Sequence, residues 1–184
     1  MNSSALDDLL RHPNRQSVIN YADTSGRTPL YFAVKKGFPP LVSILLRSGA
    51  LADSTTLCAA VEMDSLSMVR SLLGNANVNG RDRMGWTPLQ LAITGNKQNS
   101  STMIYMLLRN GADVNARSPH GLSSLHHAVD AGSKYSIISS LLNAGSDLYC
   151  RDAEGMTPLH YASMGGHLDL TYKLLLRDPT QCMI

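Results

Sequence analysis

The segment Asp152-Ala153-Glu154-Gly155-Met156-Thr157-Pro158-Leu159-His160-Tyr161-Ala162 decides the fold of this chain. Its first half is typical of a turn, because an Asp side chain accepts backbone hydrogen bonds and a Gly three residues later adopts positive φ. Its second half is a helix start, since Thr caps free N–H groups and Pro at the first helical position loses no hydrogen bond. The segment therefore predicts a turn that leads directly into a helix.

The same helix start occurs five times along the 184 residues. The copies are Thr28-Pro29-Leu30, Thr55-Thr56-Leu57, Thr87-Pro88-Leu89, Ser123-Ser124-Leu125 and Thr157-Pro158-Leu159. Their leucines are separated by 27, 32, 36 and 34 residues, close to a repeat period of roughly 33 residues. Each copy continues into a second apolar segment that ends in a leucine pair and, in most copies, a glycine turn. Each copy is therefore predicted to be a pair of helices.

Residues 82–92 and 152–162 resemble the D-x-x-G-x-T-P-L-H-x-A opening of ankyrin repeats, and the resemblance covers essentially the whole chain. It implies an all-α solenoid of stacked helix-turn-helix units. In ankyrin-like proteins the turns between units project as β-turn fingers beside the first helices, and together they form a concave face. Such a face binds other proteins.

The resemblance, together with the spacing, implies one ankyrin-repeat domain over residues 1–184. Its parts are a partial N-terminal repeat over 1–20, repeats over 21–53, 54–81, 82–117 and 118–151, and a C-terminal cap over 152–184. The repeat 54–81 is degenerate and lacks the Asp-x-x-Gly turn, so its finger should be shortened or missing. The repeat 82–117 carries extra polar residues over 95–101, which should form a loop protruding away from the fingers. Segment 1–20 fits either a cap or the point where a longer protein was cut.

The C-terminal cap is predicted from two positions that turn polar only in the last copy. The residue after the conserved alanine is Val34, Val61, Ile93 and Val129 in the earlier copies and Ser163 in the last. A second position, apolar in the earlier copies, becomes Thr171 in the last. End units of a solenoid need such polar residues, because no neighbour covers them. The stack is therefore expected to end at this copy.

Composition excludes several classes of protein. Hydrophobic residues make up 43% and charged residues 16%, with a net charge of +2 and no run of like charges, so we expect a folded protein that binds neither nucleic acid nor a membrane. Residues 1–10 lack a signal-peptide pattern. Cys58, Cys150 and Cys182 form an odd and scattered set, which favours a reducing compartment, cytoplasmic or nuclear.

The chemistry-bearing residues do not form a catalytic or metal motif. His126 and His160 occupy the T-P-L-H position, where the ankyrin histidine hydrogen-bonds around the turn, and Cys58 fills the same position in another copy. His127 and Asp130 lie within helical reach of each other, but no nucleophile stands beside them. The sequence contains no Cys-x-x-Cys, Walker loop or H-E-x-x-H motif. We therefore expect no catalytic site, no metal and no cofactor, and a chain that is not an enzyme.

The fingers hold the candidate binding residues. Large residues stand immediately before the helix start or two residues earlier, and both positions should face solvent: they are Met84, Trp86, His120, Leu122 and Met156. Thr94, Asp130 and Met164 should line the adjoining groove. Trp, Met and other large side chains suit a protein interface, and Trp86 is the best single anchor, although such side chains also fit a role of shielding the turn beneath them.

These features predict a monomeric, non-enzymatic module that binds a protein partner as an adaptor, scaffold or inhibitor. The alternative is a substrate-targeting subunit or fragment of a larger enzyme, such as a ubiquitin-ligase complex or a secreted effector. Asn115 adds one candidate modification. The segment from Leu107 to Asn115 resembles the pattern at which ankyrin repeats undergo asparagine hydroxylation, and a turn residue that satisfies backbone groups would explain Asn115 equally well.

Overall fold

The computed structural model describes residues 18–176, and ten helices lie wholly within that range. They are α1 Pro29–Lys35, α2 Pro39–Arg47, α3 Ser54–Glu62, α4 Leu66–Leu72, α5 Pro88–Thr94, α6 Ser100–Arg109, α7 Ser124–Asp130, α8 Tyr135–Asn143, α9 Pro158–Met164 and α10 Leu168–Leu176. Residues 18–176 contain no β-strand, and one isolated bridge joins Arg117 to Ser123. The predicted all-α solenoid is confirmed.

The helices form five antiparallel pairs stacked in one direction. Each odd-numbered helix packs against the next even-numbered helix, and the odd-numbered helices also pack in sequence from α1 to α9. The even-numbered helices α2, α4, α6 and α8 form the second layer. The core is therefore continuous along the stack, and each copy contacts mainly its neighbours, as in other solenoids.

The first helix of each pair begins at the residues that the sequence pattern predicts. The Thr28 side chain accepts a hydrogen bond from the Tyr31 N–H at 3.3 Å, and Thr87 and Gln90 form a capping box. Such caps satisfy N–H groups that have no partner inside the helix. Four leucines that follow the helix starts are almost completely buried, and they are Leu30, Leu57, Leu89 and Leu125. The leucine anchors the helix to the core just after the cap has fixed its start.

Four β-turn fingers precede first helices, over residues 23–27, 82–86, 118–122 and 152–156. In the finger 82–86, the Asp82 N–H donates to the Trp86 carbonyl at 2.9 Å and the Gly85 N–H donates to the Asp82 carbonyl at 3.1 Å. The other three fingers repeat this pair of hydrogen bonds. Gly85 has φ 84°, a value that glycine adopts without steric cost. The Asp-x-x-Gly pattern thus identified real turns.

The second copy has no finger, as predicted. Helix α3 begins at Ser54, only a few residues after α2 ends, and Asp53 caps it by accepting a hydrogen bond from the Thr56 N–H at 2.8 Å. The following loop lies directly against this helix start, because an ideal Cβ on Gly80 would stand 1.7 Å from Ser54 Oγ. Position 80 therefore accepts only glycine, because any Cβ there would collide with Ser54.

The polar loop of the third copy is shorter than the predicted span 95–101. Helix α6 already begins at Ser100, and the exposed loop bonds back onto the preceding copy instead of projecting freely. The Asn99 side chain donates to the Asp64 carbonyl at 3.1 Å, and Lys97 donates to the Glu62 carbonyl. The extra residues therefore tie two neighbouring copies together.

The last copy carries polar residues at the two positions that suggested a cap. Ser163 is exposed and Thr171 is half-buried, whereas Val34, Val61, Ile93 and Val129 are buried at the position of Ser163. That the stack ends at this copy stays a prediction. Most of the proposed partial repeat 1–20, and Cys182, lie outside the described residues.

Candidate protein-binding surface

Three consecutive fingers form one packed row, which we call the finger row: residues 82–86, 118–122 and 152–156. Each finger lies against the glycine of the preceding one. An ideal Cβ on Gly85 would stand 2.7 Å from Pro119 Cγ, and one on Gly121 would stand 3.2 Å from the Ala153 nitrogen. These close approaches fix the spacing of the fingers, so the row presents a preformed surface.

The finger tips expose their side chains, as predicted. The Met84 side chain is 73% exposed, and His120 is also exposed. Asp82 holds the first of these tips, because its carboxylate accepts hydrogen bonds from the Met84 and Trp86 N–H groups at 2.9 and 2.8 Å. Exposed apolar area on a fixed turn is available to a partner without a large ordering cost.

The finger bases are less exposed than predicted. Trp86, Leu122 and Met156 are half-buried, so the expectation that they point into solvent is wrong. For Trp86 the reason is a contact with the next copy: its ring packs on the His127 ring of α7, with centroids 4.9 Å apart and planes 47° apart. Trp86 therefore supports the stack through this ring contact and is only partly accessible to solvent.

The three predicted groove residues are all exposed at the ends of first helices. They are Thr94, Asp130 and Met164, the last with 74% of its surface accessible. Met164 and Met156 line one depression of about 290 Å³, so the structure brings these two methionines together. At the equivalent positions of the first two copies, Lys35 and Glu62 form an ion pair at 2.6 Å. The groove edge thus carries polar or charged residues in the first four copies and an apolar residue, Met164, in the last.

His127 packs beneath this surface against Trp86, a role that the sequence pattern alone did not assign to it. It is only 8% exposed, and its Nε2 atom is buried without a hydrogen-bond partner. Burial lowers the pKa of His127 to about 4, with a smaller contribution from neighbouring His126. A signal was present in the sequence, because large residues stand at the same position in other copies: Phe32, Leu91 and Tyr161.

His126 has the structural role that its motif predicts. Its Nδ1 atom accepts a hydrogen bond from the Ser123 N–H at 3.2 Å, which leaves the proton on Nε2. Nε2 then donates to the Met156 carbonyl of the next finger at 3.1 Å. Burial lowers the pKa of His126, so the ring is neutral and links two copies. Gln90, at the same helix position in the preceding copy, also links two copies, but it donates to the Ala116 carbonyl before the next finger, at 2.9 Å.

The described thiols lack the properties of nucleophiles. Burial raises the pKa of Cys58 to about 12, with the nearby Asp82 charge acting in the same direction. Burial also raises the pKa of Cys150. Since the thiolate is the reactive form, both thiols are poor nucleophiles at neutral pH. Within residues 18–176, no group of three or more His, Cys, Asp or Glu side chains could hold a metal ion, and no helix is long and apolar enough to cross a membrane.

Asn115 links two neighbouring copies through both ends of its side-chain amide. Its Nδ2 donates to the Gly145 carbonyl at 3.0 Å, and its Oδ1 accepts from the Asp147 N–H at 3.0 Å. Asn79 bonds the next loop in the same way. This geometry supports the interpretation of Asn115 as a residue that satisfies backbone groups. Its hydroxylation stays a prediction.

Mass spectrometry of the protein from a host with an asparagine hydroxylase tests that prediction. We expect one added oxygen on the peptide that contains Asn115, since the residue is exposed and follows Asp113 and Val114. Asn79 is the internal control. It has the same hydrogen bonds but follows Asn77, so its peptide should stay unmodified. An unmodified Asn115 in such a host would rule the modification out.

Comparison with known families agrees with this geometry. Residues 25–57 match the ankyrin repeat, residues 45–118 match ankyrin repeats in three copies, and residues 125–175 match ankyrin repeats in many copies. The chain belongs to the ankyrin-repeat family. Ankyrin repeats are in general protein-interaction modules without catalytic activity of their own.

Curated relatives share the repeats but are longer proteins. The chain is 35% identical over 147 residues to the ankyrin repeat protein FPV031 of fowlpox virus, which covers 72% of the chain and 42% of the relative. It is 32% identical over 149 residues to the ANK repeat-containing protein nipk-1 of Caenorhabditis elegans, covering 68% and 24%. It is 36% identical over 89 residues to the human 2-5A-dependent ribonuclease, covering 47% and 12%. The chain thus spans less than half the length of these relatives.

Proposed function

We propose that this ankyrin-repeat chain is a monomeric adaptor, scaffold or inhibitor that binds one protein partner through the finger row and the adjoining groove. The contact residues are Met84, Trp86, Thr94, His120, Leu122, Asp130, Met156 and Met164. The observation that carries the proposal is the packed finger row, which combines a fixed backbone with exposed side chains. The missing second finger interrupts the surface on the N-terminal side, so the contact is centred on the last three fingers.

The properties of the surface support a protein partner. Exposed methionines at Met84 and Met164 adapt to irregular apolar surfaces, while Thr94 and Asp130 supply polar contacts beside them. The depression between Met156 and Met164, at about 290 Å³, lies at the lower limit of small-molecule sites. A partner side chain fills such a space better than a cofactor does. The free thiols of Cys58 and Cys150 favour a cytoplasmic or nuclear location.

Hydrogen exchange tests the placement of the contact. A partner is first captured with the intact chain and then purified, and amide exchange is compared with and without it. We expect protection in the fingers 82–86, 118–122 and 152–156. The outer helices α6 and α8 should exchange equally in both samples, and they serve as the internal control. Protection confined to those outer helices would show that the partner binds the opposite face.

A second candidate function is substrate targeting within a larger enzyme. It is favoured by the match to the 2-5A-dependent ribonuclease, an enzyme by name, of which the matched region covers only 12%. In that case the stack selects the substrate, and the catalytic part lies outside these residues. The sequence of the full-length gene product separates the two candidates, because an added catalytic domain would identify the second.

A further inference from the structure

The missing second finger leaves a notch in the concave face between the fingers 23–27 and 82–86. Arg83 crosses this gap, since an ideal Cβ on Gly26 would stand 4.0 Å from Arg83 Nη2. The equivalent contacts elsewhere are made by the short side chains of Pro119 and Ala153. A long side chain thus spans a distance that the next finger normally fills, and an open space of about 190 Å³ remains beneath it.

The floor of the notch is lowered by a second change in the same copy. Ala59 stands where the other first helices carry Phe32, Leu91, His127 and Tyr161. Ala59 and Cys58 are buried and form the floor, while Tyr31, Arg83 and Met84 stand around it. The loss of a finger and the loss of a large side chain therefore coincide at one place.

The charges around the notch favour a neutral, flat occupant. The ion pair of Lys35 with Glu62 closes one end, so neither charge attracts an ion strongly. Asp82 also lines the notch, but its carboxylate already accepts hydrogen bonds from the Met84 and Trp86 N–H groups. Within residues 18–176 Arg83 has no carboxylate partner, and a guanidinium stacks well on an aromatic face. Met84, 73% exposed, adds a sulfur that contacts aromatic rings favourably. The volume is below that of a small-molecule site and suits a single side chain.

We propose that this notch receives an aromatic side chain of the partner protein, with its ring between Ala59 and the Arg83 guanidinium. The proposal rests on the proposed function, because the notch continues the same concave surface toward the N-terminus. It adds a second anchoring point outside the finger row. The partner therefore carries an aromatic residue outside the segment that contacts Trp86.

A titration with N-acetyl-L-tyrosinamide, followed by NMR of the ¹⁵N-labelled chain, tests the notch without the partner. We expect saturable shifts at the amides of Thr55, Ala59 and Met84, with a dissociation constant on the order of 1 mM, as for a weak fragment. N-acetyl-L-leucinamide should bind more weakly. Ala59→Leu fills the notch and should abolish the shifts, and Leu91 shows that leucine is accepted at this helix position. Thr102→Leu, on the exposed face of the outer helix α6, is the matched control and should bind normally.

Arg83→Gln provides a second variant that leaves the core untouched, since Arg83 is exposed. It should weaken tyrosinamide binding about two- to fivefold, the size of an exposed cation–π contact. Absent or non-saturable shifts in the unmodified chain, or equal binding of leucinamide, would overturn the proposal. Unchanged partner affinity in Trp86→Ala would instead count against the finger row, so the two failures are distinguishable.

Discussion

Trp86→Ala should weaken partner binding roughly thirtyfold, because truncation of an aromatic anchor at an interface centre costs on the order of 2 kcal/mol. The half-buried ring also stacks on His127, and such a pair contributes about 0.5–1.5 kcal/mol. The variant should therefore keep its helical circular dichroism but unfold at a lower urea concentration. Binding is measured by calorimetry at a temperature where the variant is fully folded.

Two further variants separate the binding role of Trp86 from its structural role. Trp86→Phe keeps a ring on His127, so it should recover most of the stability while binding the partner less well than tryptophan does. Tyr105→Ala removes an exposed aromatic side chain from the outer helix α6 and should leave affinity unchanged. If Trp86→Ala destabilises the fold with no separate loss of affinity, Trp86 is purely structural and the finger row is not the contact surface.

His127 should make the protein less stable as the pH falls from 6.5 toward 4. The pKa of His127 is about 4 in the folded chain, against 6.5 for an unperturbed histidine. Above pH 6.5 His127 is neutral in both the folded and the unfolded chain, so the full stability is present. Between these values the unfolded chain gains a proton that the folded chain cannot accept, so stability is lost by up to about 3 kcal/mol. Below pH 4 this contribution no longer changes.

Urea unfolding at several pH values measures this effect, and His127→Leu removes it. Leucine occupies the same position as Leu91 in the third copy and needs no hydrogen bond, so the variant should show a much flatter profile. A smaller slope should remain, since the pKa of His126 is lowered as well. Met84→Ala, at an exposed finger tip, removes no ionisable group, so it is the control and should keep the original slope. An equal slope in His127→Leu would contradict a buried neutral imidazole.

The fold was predictable because local signals repeat. Thr28, Thr87 and Thr157 each begin a helix where the Thr-Pro-Leu pattern places it. The absence of an Asp-x-x-Gly turn before Thr55 predicted that the second copy has no finger. Such signals depend on backbone chemistry within a few residues. They need no knowledge of what lies beside them in space.

The exposure of the finger bases was not predictable in the same way. Trp86 and His127 are 41 positions apart, and their contact exists only because neighbouring copies stack. A side chain that is outermost in one isolated copy becomes half-buried against the next. The return of the 95–99 loop onto Asp64 has the same origin. Contacts between copies depend on the register of stacking, which the period alone does not give.

The second copy also breaks the series of asparagine links between loops, with a consequence for folding cooperativity. Asn20, Asn79 and Asn115 each bond the loop of a following copy, but Asp53 stands at the matching place and its carboxylate caps α3 instead. In a linear array each interface transmits stability to the next unit. The junction between the first and second copies lacks this link, whereas Asn79 keeps the link between the second and third. We therefore expect the first copy to separate there from a four-copy folding unit. The N-terminal unit can open while the finger row stays assembled.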